Sequence, residues 1–245
     1  MTGATAVYAV TNYWETMDKQ VEFQQGKNLV DAAKEAGVGH FIWSSLLNVT
    51  KLSNGKLLNV YHFDGKAEVE EYARQSGIPA TFFLAGCYMS NIPGGMFRPS
   101  PPNNAWTLAL PVPETASLPL FDTADTGKFV KPIVLRRDEL LGKRILGATA
   151  YLTGKEIVEA FKKAFPEAGK TASYFNMPQD MYLEALKSAG LPEFAAKELL
   201  ENMLLLDQFG YYGGAKLDET HAILEDKLTT WDEYIKKAEP FQGLN

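Results

Sequence analysis

The chain has 245 residues, of which 46% are hydrophobic and 22% are charged, a composition that supplies a sizeable core and excludes intrinsic disorder. Its 24 basic and 30 acidic residues give a net charge of −6, so no basic surplus is available to bind nucleic acid. No apolar run reaches the roughly 18 residues of a membrane span, and the single cysteine, Cys87, suits a reducing compartment. We therefore expect a cytoplasmic protein that binds neither nucleic acid nor membranes.

The first part of the chain alternates predicted strands and helices. Strands are predicted at Thr5–Thr11, His40–Ser44 and Ala80–Leu84, because each is short and apolar without alternation, like strands buried on both faces. Helical spacing of apolar residues predicts helices over Glu15–Ala36 and Phe63–Gln75, each followed by a glycine. This alternation predicts a parallel α/β sheet with right-handed crossovers.

The composition changes after Leu84. Prolines concentrate between Pro93 and Pro119, which predicts a loop-rich cap with short strands around Trp106–Leu110. Asp125 is predicted to cap a helix that ends near Leu135, and a strand is predicted over Arg144–Leu152. A capping box of Thr153 and Glu156 predicts the start of a helix over Ile157–Phe165. Further helices are predicted near 178–189, 192–207 and 230–238, and the last of these has a possible capping box of Thr230 and Glu233. We predict an α/β half at residues 1–92 and a smaller, mostly helical C-terminal lobe at 93–245, some segments of which pack back on the sheet.

His62 and Lys66 form the sharpest chemical pattern in the sequence. They are four residues apart, so on a helix their side chains share a face. A neutral imidazole beside an ammonium group is suited to act as a base near neutral pH. The alternative is a solvated pair at the start of a helix, with Lys66 paired to Glu70, and the spacing alone favours this alternative.

Polar and aromatic residues follow three predicted strands. They are Asn12, Tyr13 and Trp14 after the first, Ser44 or Ser45 at the end of the second, and Cys87 with Tyr88 after the third. The carboxyl ends of parallel strands meet at one rim, where open α/β sheets bind ligands, so we predict a pocket there, roofed by the proline-rich segment. The additional apolar walls are predicted to be Met89, Met96, Phe97 and Trp106. Ordinary turn and cap residues are the alternative for the polar positions, and a packed thiol is the favoured reading of Cys87. The three histidines lack metal-site spacing, so no metal is predicted.

Three segments together resemble the NmrA-like (HSCARG-like) branch of the atypical short-chain dehydrogenase/reductases. They are Val10–Glu15 (VTNYWE), Tyr61–Tyr72 (YHFDGKAEVEEY) and Phe209–Gly213 (FGYYG). The resemblance covers essentially the whole chain and implies a Rossmann half with a smaller C-terminal lobe. It also implies that Lys66 matches the lysine that contacts the nicotinamide ribose in NADP-binding relatives. His62 then stands where the wider superfamily has the tyrosine of its Tyr-x-x-x-Lys pair.

The resemblance also implies that segments of the family are missing here. The family's glycine-rich motif and its first three strands would precede Val10, and no strand–glycine loop–helix pattern occurs in this chain. On this ground the sequence predicts a partial Rossmann-type sheet that binds no dinucleotide. The cofactor prediction is none, and NADP contacts of Lys66 and Asn12 are implied by the family only.

Three functions follow as hypotheses. The preferred one is a cofactor-independent cyclase or isomerase that acts on a hydrophobic aromatic or phenolic small molecule, in the setting of specialised metabolism. In it His62 is the base and Lys66 stabilises a developing oxyanion. The second is a non-catalytic regulatory or protein-binding member of the NADP-sensing type. The third is an NADP-dependent oxidoreductase, which requires a longer natural N-terminus.

The strand at Thr5–Thr11 predicts a homodimer. It carries no charge and no proline, and the strands that would cover it in a complete Rossmann half are those that the sequence lacks. An apolar, unpaired edge of this kind invites pairing with another chain, so a two-fold interface at or near this strand is expected. The alternative is that an element of the C-terminal lobe folds back over the edge.

Overall fold

A computed structural model describes all 245 residues, and the chain divides into two compact units that are interleaved in sequence. Unit 1 comprises Met1–Ala85, Thr126–Gly147 and Ala215–Lys227, and unit 2 comprises Gly86–Asp125, Ala148–Gly214 and Leu228–Asn245. The sequence predicts one boundary, at residue 92. The first boundary of the structure follows Ala85, and two later segments return to unit 1.

The strands, in chain order, are β1 (Ala6–Ala9), β2 (His40–Ser45), β3 (Ala80–Ala85), β4 (Cys87–Tyr88), β5 (Phe97–Ser100), β6 (Ala105–Leu110), β7 (Ser117–Phe121), β8 (Arg144–Gly147), β9 (Ala150–Thr153) and β10 (Ser173–Asn176). The helices are α1 (Tyr13–Thr16), α2 (Lys19–Glu35), α3 (Val49–Leu52), α4 (Tyr61–Ser76), α5 (Thr126–Leu135), α6 (Arg137–Leu140), α7 (Gly154–Ala164), α8 (Pro166–Gly169), α9 (Gln179–Ser188), α10 (Glu193–Gln208), α11 (Asp218–His221) and α12 (Trp231–Tyr234). None of these helices combines the length and the apolar character needed to cross a bilayer.

Unit 1 is built on a parallel sheet with the strand order β1-β2-β3-β8. Every residue of β2 is buried, as is all of β3 except its last residue, which is why these strands are continuous apolar runs. Helices α2 and α4 pack on each other and on β1 and β2, and α5 packs on β3 and β8. The predicted α/β class with a parallel sheet is confirmed.

Two glycines bring α2 and α4 close together. A Cβ atom at Gly26 would lie 2.5 Å from Cγ2 of Val69, and one at Gly65 would lie 3.0 Å from Oε2 of Glu22. The buried face of α2 carries Glu22, Gly26, Val30 and Ala33, at spacings of four and three. Larger side chains at the two glycines would therefore force the helices apart.

The predicted single helix over Glu15–Ala36 is wrong, since the chain breaks between α1 and α2. Met17 has a left-handed backbone with φ 51°, which ends α1. Asp18 then caps α2, because its carboxylate accepts hydrogen bonds from the backbone N–H groups of Gln20 and Val21. The capping aspartate restarts the helix inside a continuous apolar pattern.

The predicted strand over Arg144–Leu152 is also wrong, because it is two strands in different sheets. β8 pairs with β3 in unit 1, whereas β9 pairs antiparallel with β7 in unit 2. β8 ends at Gly147, where a Cβ atom would lie 2.5 Å from the ring of Phe83. The close approach of this ring requires glycine at the point where the chain leaves the sheet.

Unit 2 contains two small sheets, with orders β10-β6-β5 and β4-β7-β9. The proline-rich segment supplies β5, β6 and β7 and is more regular than the loop-rich cap that the sequence predicts. The capping box of Thr153 and Glu156 is confirmed, and so is that of Thr230 and Glu233. A cluster of aromatic rings, with centroids 4.6–6.0 Å apart, fills the interior. It consists of Phe97, Trp106, Phe161, Phe165 and Phe241.

His40 in β2 is buried as a neutral imidazole. Its Nε2 lies 2.8 Å from the hydroxyl of Thr81, which itself donates to the carbonyl oxygen of Leu140 at 3.0 Å. Because the single hydroxyl proton is used there, Nε2 of His40 carries the proton and Nδ1 is a bare acceptor, which has no partner. Burial and then the positive charge of Arg137 lower the pKa of His40.

This histidine predicts a loss of stability in mild acid. The unfolded chain takes up a proton near pH 6.5 and the folded chain only at lower pH. The contribution is therefore complete above pH 6.5 and is lost as the pH falls below it, by at most about 1.4 kcal/mol per pH unit. Urea unfolding at pH 7.5 and 5.5 should show a smaller pH effect for His40→Gln than for the native chain. The exposed His221→Gln is the control, and equal pH effects in all three proteins would contradict the prediction.

β1 is an edge strand, since it pairs only with β2. Tyr8 is 39% exposed and Val10 is 58% exposed, so this edge presents apolar side chains to solvent. We propose that a second copy of the chain pairs here, as the sequence predicts, because nothing charged on the strand opposes it. The proposed two-fold interface buries more than ~1,000 Å² in total.

Light scattering coupled to size exclusion should then give the mass of a dimer at micromolar concentration. A lysine at the edge should dissociate it, so Val10→Lys is expected to elute as a monomer. Leu135→Lys, which adds the same charge at an apolar position of α5 that is 67% exposed, should stay dimeric. A native chain that is monomeric would refute the dimer.

Candidate functional site

Lys66 on α4 is held by a buried ion pair. Its ammonium group donates to Oε1 of Glu22 at 2.8 Å, to the carbonyl oxygen of Thr11 at 2.7 Å and to the hydroxyl of Thr11 at 3.0 Å. The same hydroxyl donates to Oε1 of Glu22 at 2.8 Å, which closes the network. The Glu22 side chain is 0% exposed and that of Lys66 is 12% exposed. The alternative in which Lys66 pairs with Glu70 is wrong.

The fold positions this ion pair from three sides. Thr11 follows β1, Glu22 lies in the first turns of α2, and Lys66 lies on α4 above Trp43, whose indole N–H donates to the Lys66 carbonyl oxygen at 2.9 Å. Gly65 lets α4 approach Glu22. Burial lowers the pKa of the Lys66 ammonium, and the Glu22 carboxylate acts against this effect.

His62 lies one turn before Lys66, among aromatic rings. Its ring centroid is 5.1 Å from that of Trp14 and 5.9 Å from that of Tyr13. Tyr13 is 2% exposed and belongs to the core, whereas Trp14 is 38% exposed, and Asn12 before them is exposed as well. The structure thus brings His62 together with the segment that follows β1. The role of His62 as a base stays a prediction.

The serines at the end of β2 are buried. Ser44 is 8% exposed, and the hydroxyl of Ser45 donates to Oε2 of Glu70 at 2.6 Å. The other oxygen of Glu70 accepts from Arg74 and Arg144. Ser45 and Glu70 therefore form an internal network with two arginines, which explains why Glu70 is not available to Lys66.

The remaining predicted site residues lie in unit 2. Cys87 is buried, and burial raises its pKa to about 12, so the thiol stays protonated at neutral pH, as expected of a packed cysteine. Tyr88 is 43% exposed and Met89 only 1%, while Met96 is half-buried. Phe97 is fully buried in the core of unit 2 and contacts the half-buried Trp106 within the aromatic cluster. Their part in a ligand pocket stays a prediction.

A separate groove of about 450 Å³ lies within unit 2. Its walls are Pro111, Pro113, Asn176, Met177, Pro178, Gln179, Leu204, Asp207 and Gln208. None of the predicted site residues lines it.

Glu22 and Thr11 are site residues that the sequence does not predict. Glu22 lies on the buried face of α2, in line with Gly26, Val30 and Ala33. A glutamate on the buried face of a helix is the sequence signal that indicates a buried charge with a partner. Its partner is 44 residues away in sequence, which hides the pairing from local spacing.

Comparison with known proteins identifies the family. Residues 1–235 match the model of the NmrA-like family. An NmrA-like family domain-containing protein of Dictyostelium discoideum is 29% identical, over 97% of this chain and 76% of that protein. The nitrogen metabolite repression protein nmr of Neurospora crassa is 30% identical over 89% of this chain, and the oxidoreductase malD of Malbranchea aurantiaca is 27% identical over 73%. The chain spans 46% and 58% of the lengths of these two proteins.

Solved structures share the fold and correct the cofactor prediction. NmrA, a negative transcriptional regulator in complex with NADP, has a TM-score of 0.78 at 22% identity, covering 99% of this chain and 74% of its own. NmrA has also been crystallised with NAD, and the Citrobacter triphenylmethane reductase, with a TM-score of 0.71 at 16% identity, with NADP(H). The prediction of no cofactor is contradicted by these complexes, because proteins with this fold have been crystallised with NADP, NAD and NADP(H). On the match of residues 1–235, the chain belongs to the NmrA-like family.

Proposed function

We propose that this chain is a dinucleotide-binding regulatory protein, which binds NADP or NAD as a signal and not as a hydride donor. The observation that carries the proposal is the engagement of Lys66. An ammonium group has three N–H donors, and Thr11 and Glu22 take all three. Carbonyl reduction needs a proton delivered to a developing alkoxide, and a lysine held in this way assists such a transfer only after it gives up one of these bonds.

The residues around the end of β1 suit the nicotinamide end of a dinucleotide. Asn12 is exposed, and its amide both donates and accepts hydrogen bonds, as a carboxamide partner requires. The rings of Trp14 and His62 lie together and Trp14 is partly exposed, so they offer an aromatic surface to a planar ring. A bound nicotinamide would supply sensitivity to redox state, because its oxidised ring carries a positive charge that the reduced ring lacks.

The relatives support a regulatory role. Two nitrogen metabolite repression proteins are among them, and that of Emericella nidulans is 42% identical over 29% of this chain. NmrA is described as a negative transcriptional regulator.

An NADP-dependent oxidoreductase is the second candidate. Several relatives are named oxidoreductases, and His62 stands beside the exposed Trp14, where an imidazole is able to exchange a proton with a substrate. The cofactor-independent cyclase or isomerase is not proposed, because its premise was a chain without a dinucleotide.

Calorimetric titration separates these functions. We expect NADPH, NADP⁺, NADH or NAD⁺ to bind with a micromolar Kd, and we expect no NADPH consumption above the uncatalysed rate with quinones, aldehydes or aromatic ketones. Trp14→Ala should weaken binding about three- to tenfold, the usual value of one aromatic contact. Leu58→Ala, at another exposed apolar position, is the control.

The two ways of failing are distinct. Absence of heat with all four dinucleotides would refute dinucleotide binding by this chain. Multiple turnovers of NADPH with any of the substrates would replace the sensor with the oxidoreductase.

A further inference from the structure

We propose that Glu22 determines how tightly the chain binds a dinucleotide, because it holds Lys66 away from the ligand. The inference rests on the proposed function and names a positioning residue for the same site. A dinucleotide carries ribose hydroxyls and anionic phosphates, which are acceptors that an ammonium group binds. Lys66 reaches them only after it gives up one of its present partners.

The present partners leave Lys66 no spare donor. Its three N–H groups meet three acceptor atoms at 2.7–3.0 Å, two of them on Thr11 and one on Glu22. Thr11 precedes Asn12, and His62 lies one helical turn before Lys66, so the ion pair is adjacent along the chain to the polar and aromatic residues at the end of β1. Release of Lys66 would therefore occur next to the proposed ligand.

Release of Lys66 would leave the carboxylate of Glu22 without its charged partner. Its carboxylate is 0% exposed, and its second oxygen, Oε2, is buried without a partner. Once Lys66 left, only the Thr11 hydroxyl would remain to stabilise a buried negative charge. Removing one partner of a buried ion pair leaves an uncompensated charge, which opposes the movement strongly. The ion pair therefore competes with the ligand for Lys66.

The decisive variant is Glu22→Gln, which keeps the shape and an acceptor oxygen but removes the charge. We expect its Kd for NADPH, measured by calorimetry, to fall about tenfold relative to the native chain. The gain should vanish when Lys66 is replaced, so Glu22→Gln in a Lys66→Met background should bind like Lys66→Met alone. Thermal unfolding of each protein shows whether it is folded.

Glu68→Gln is the matched control. Glu68 on α4 pairs with Lys19 on α2 at 2.8 Å, so it joins the same two helices with the same chemistry but with side chains that are 34% and 27% exposed. Its removal should leave the Kd unchanged. If Glu22→Gln does not fold, Glu22→Asp, which shortens the side chain by one methylene, replaces it and should also tighten binding.

The outcomes separate this inference from the function on which it rests. If the native chain binds NADPH and Glu22→Gln binds no more tightly, Glu22 is only structural and the inference is overturned while the function stands. The inference is also overturned if Glu22→Gln still tightens NADPH binding in the Lys66→Met background. If neither protein binds any dinucleotide, the proposed function itself fails.

Discussion

The arrangement of unit 1 depends on the close packing of α2 against α4. Gly26 and Gly65 remove the two side chains that would separate these helices, and the space holds the carboxylate of Glu22. That carboxylate meets the ammonium group of Lys66 in a region with almost no solvent exposure. The end of β1 joins the same network through Thr11, so one ion pair fixes the relative positions of a strand and two helices. A buried pair of this kind contributes little net stability, but it strongly disfavours arrangements that separate the partners.

The sequence predicts the framework of unit 1 well because its signals are local. β2 and β3 are apolar runs bounded by glycine and proline, and α4 has a regular helical pattern, so each was placed within two residues. The failures have long-range causes. Nothing near Gly147 reveals that Phe83 lies against it and that the chain changes sheets there. The left-handed residue Met17 is equally hidden, because only Asp18 beside it carries a cap signal.

In the candidate site, too, local features were predictable from the sequence and long-range contacts were not. The spacing of His62 and Lys66 predicts that they share one face of a helix, and the structure has them one turn apart on α4. Their partners were not predictable from spacing: Lys66 binds Glu22 and Thr11, and His62 contacts Trp14. The cofactor prediction failed for another reason. It rested on the absence of a glycine-rich loop from the sequence, whereas NmrA, which shares the fold, has been crystallised with NADP and with NAD.

A lysine that is paired with a buried carboxylate affects ligand binding and catalysis differently. Carbonyl reduction requires a proton in each turnover, and an ammonium group held in a buried ion pair assists that transfer only at the free-energy cost of breaking the pair. In ligand binding, the ion pair is broken once, when the ligand enters. The free energy needed to break it then raises the ligand concentration at which the site is occupied. An ion pair such as Glu22–Lys66 therefore suits the proposed sensor of a dinucleotide better than an enzyme that consumes the dinucleotide.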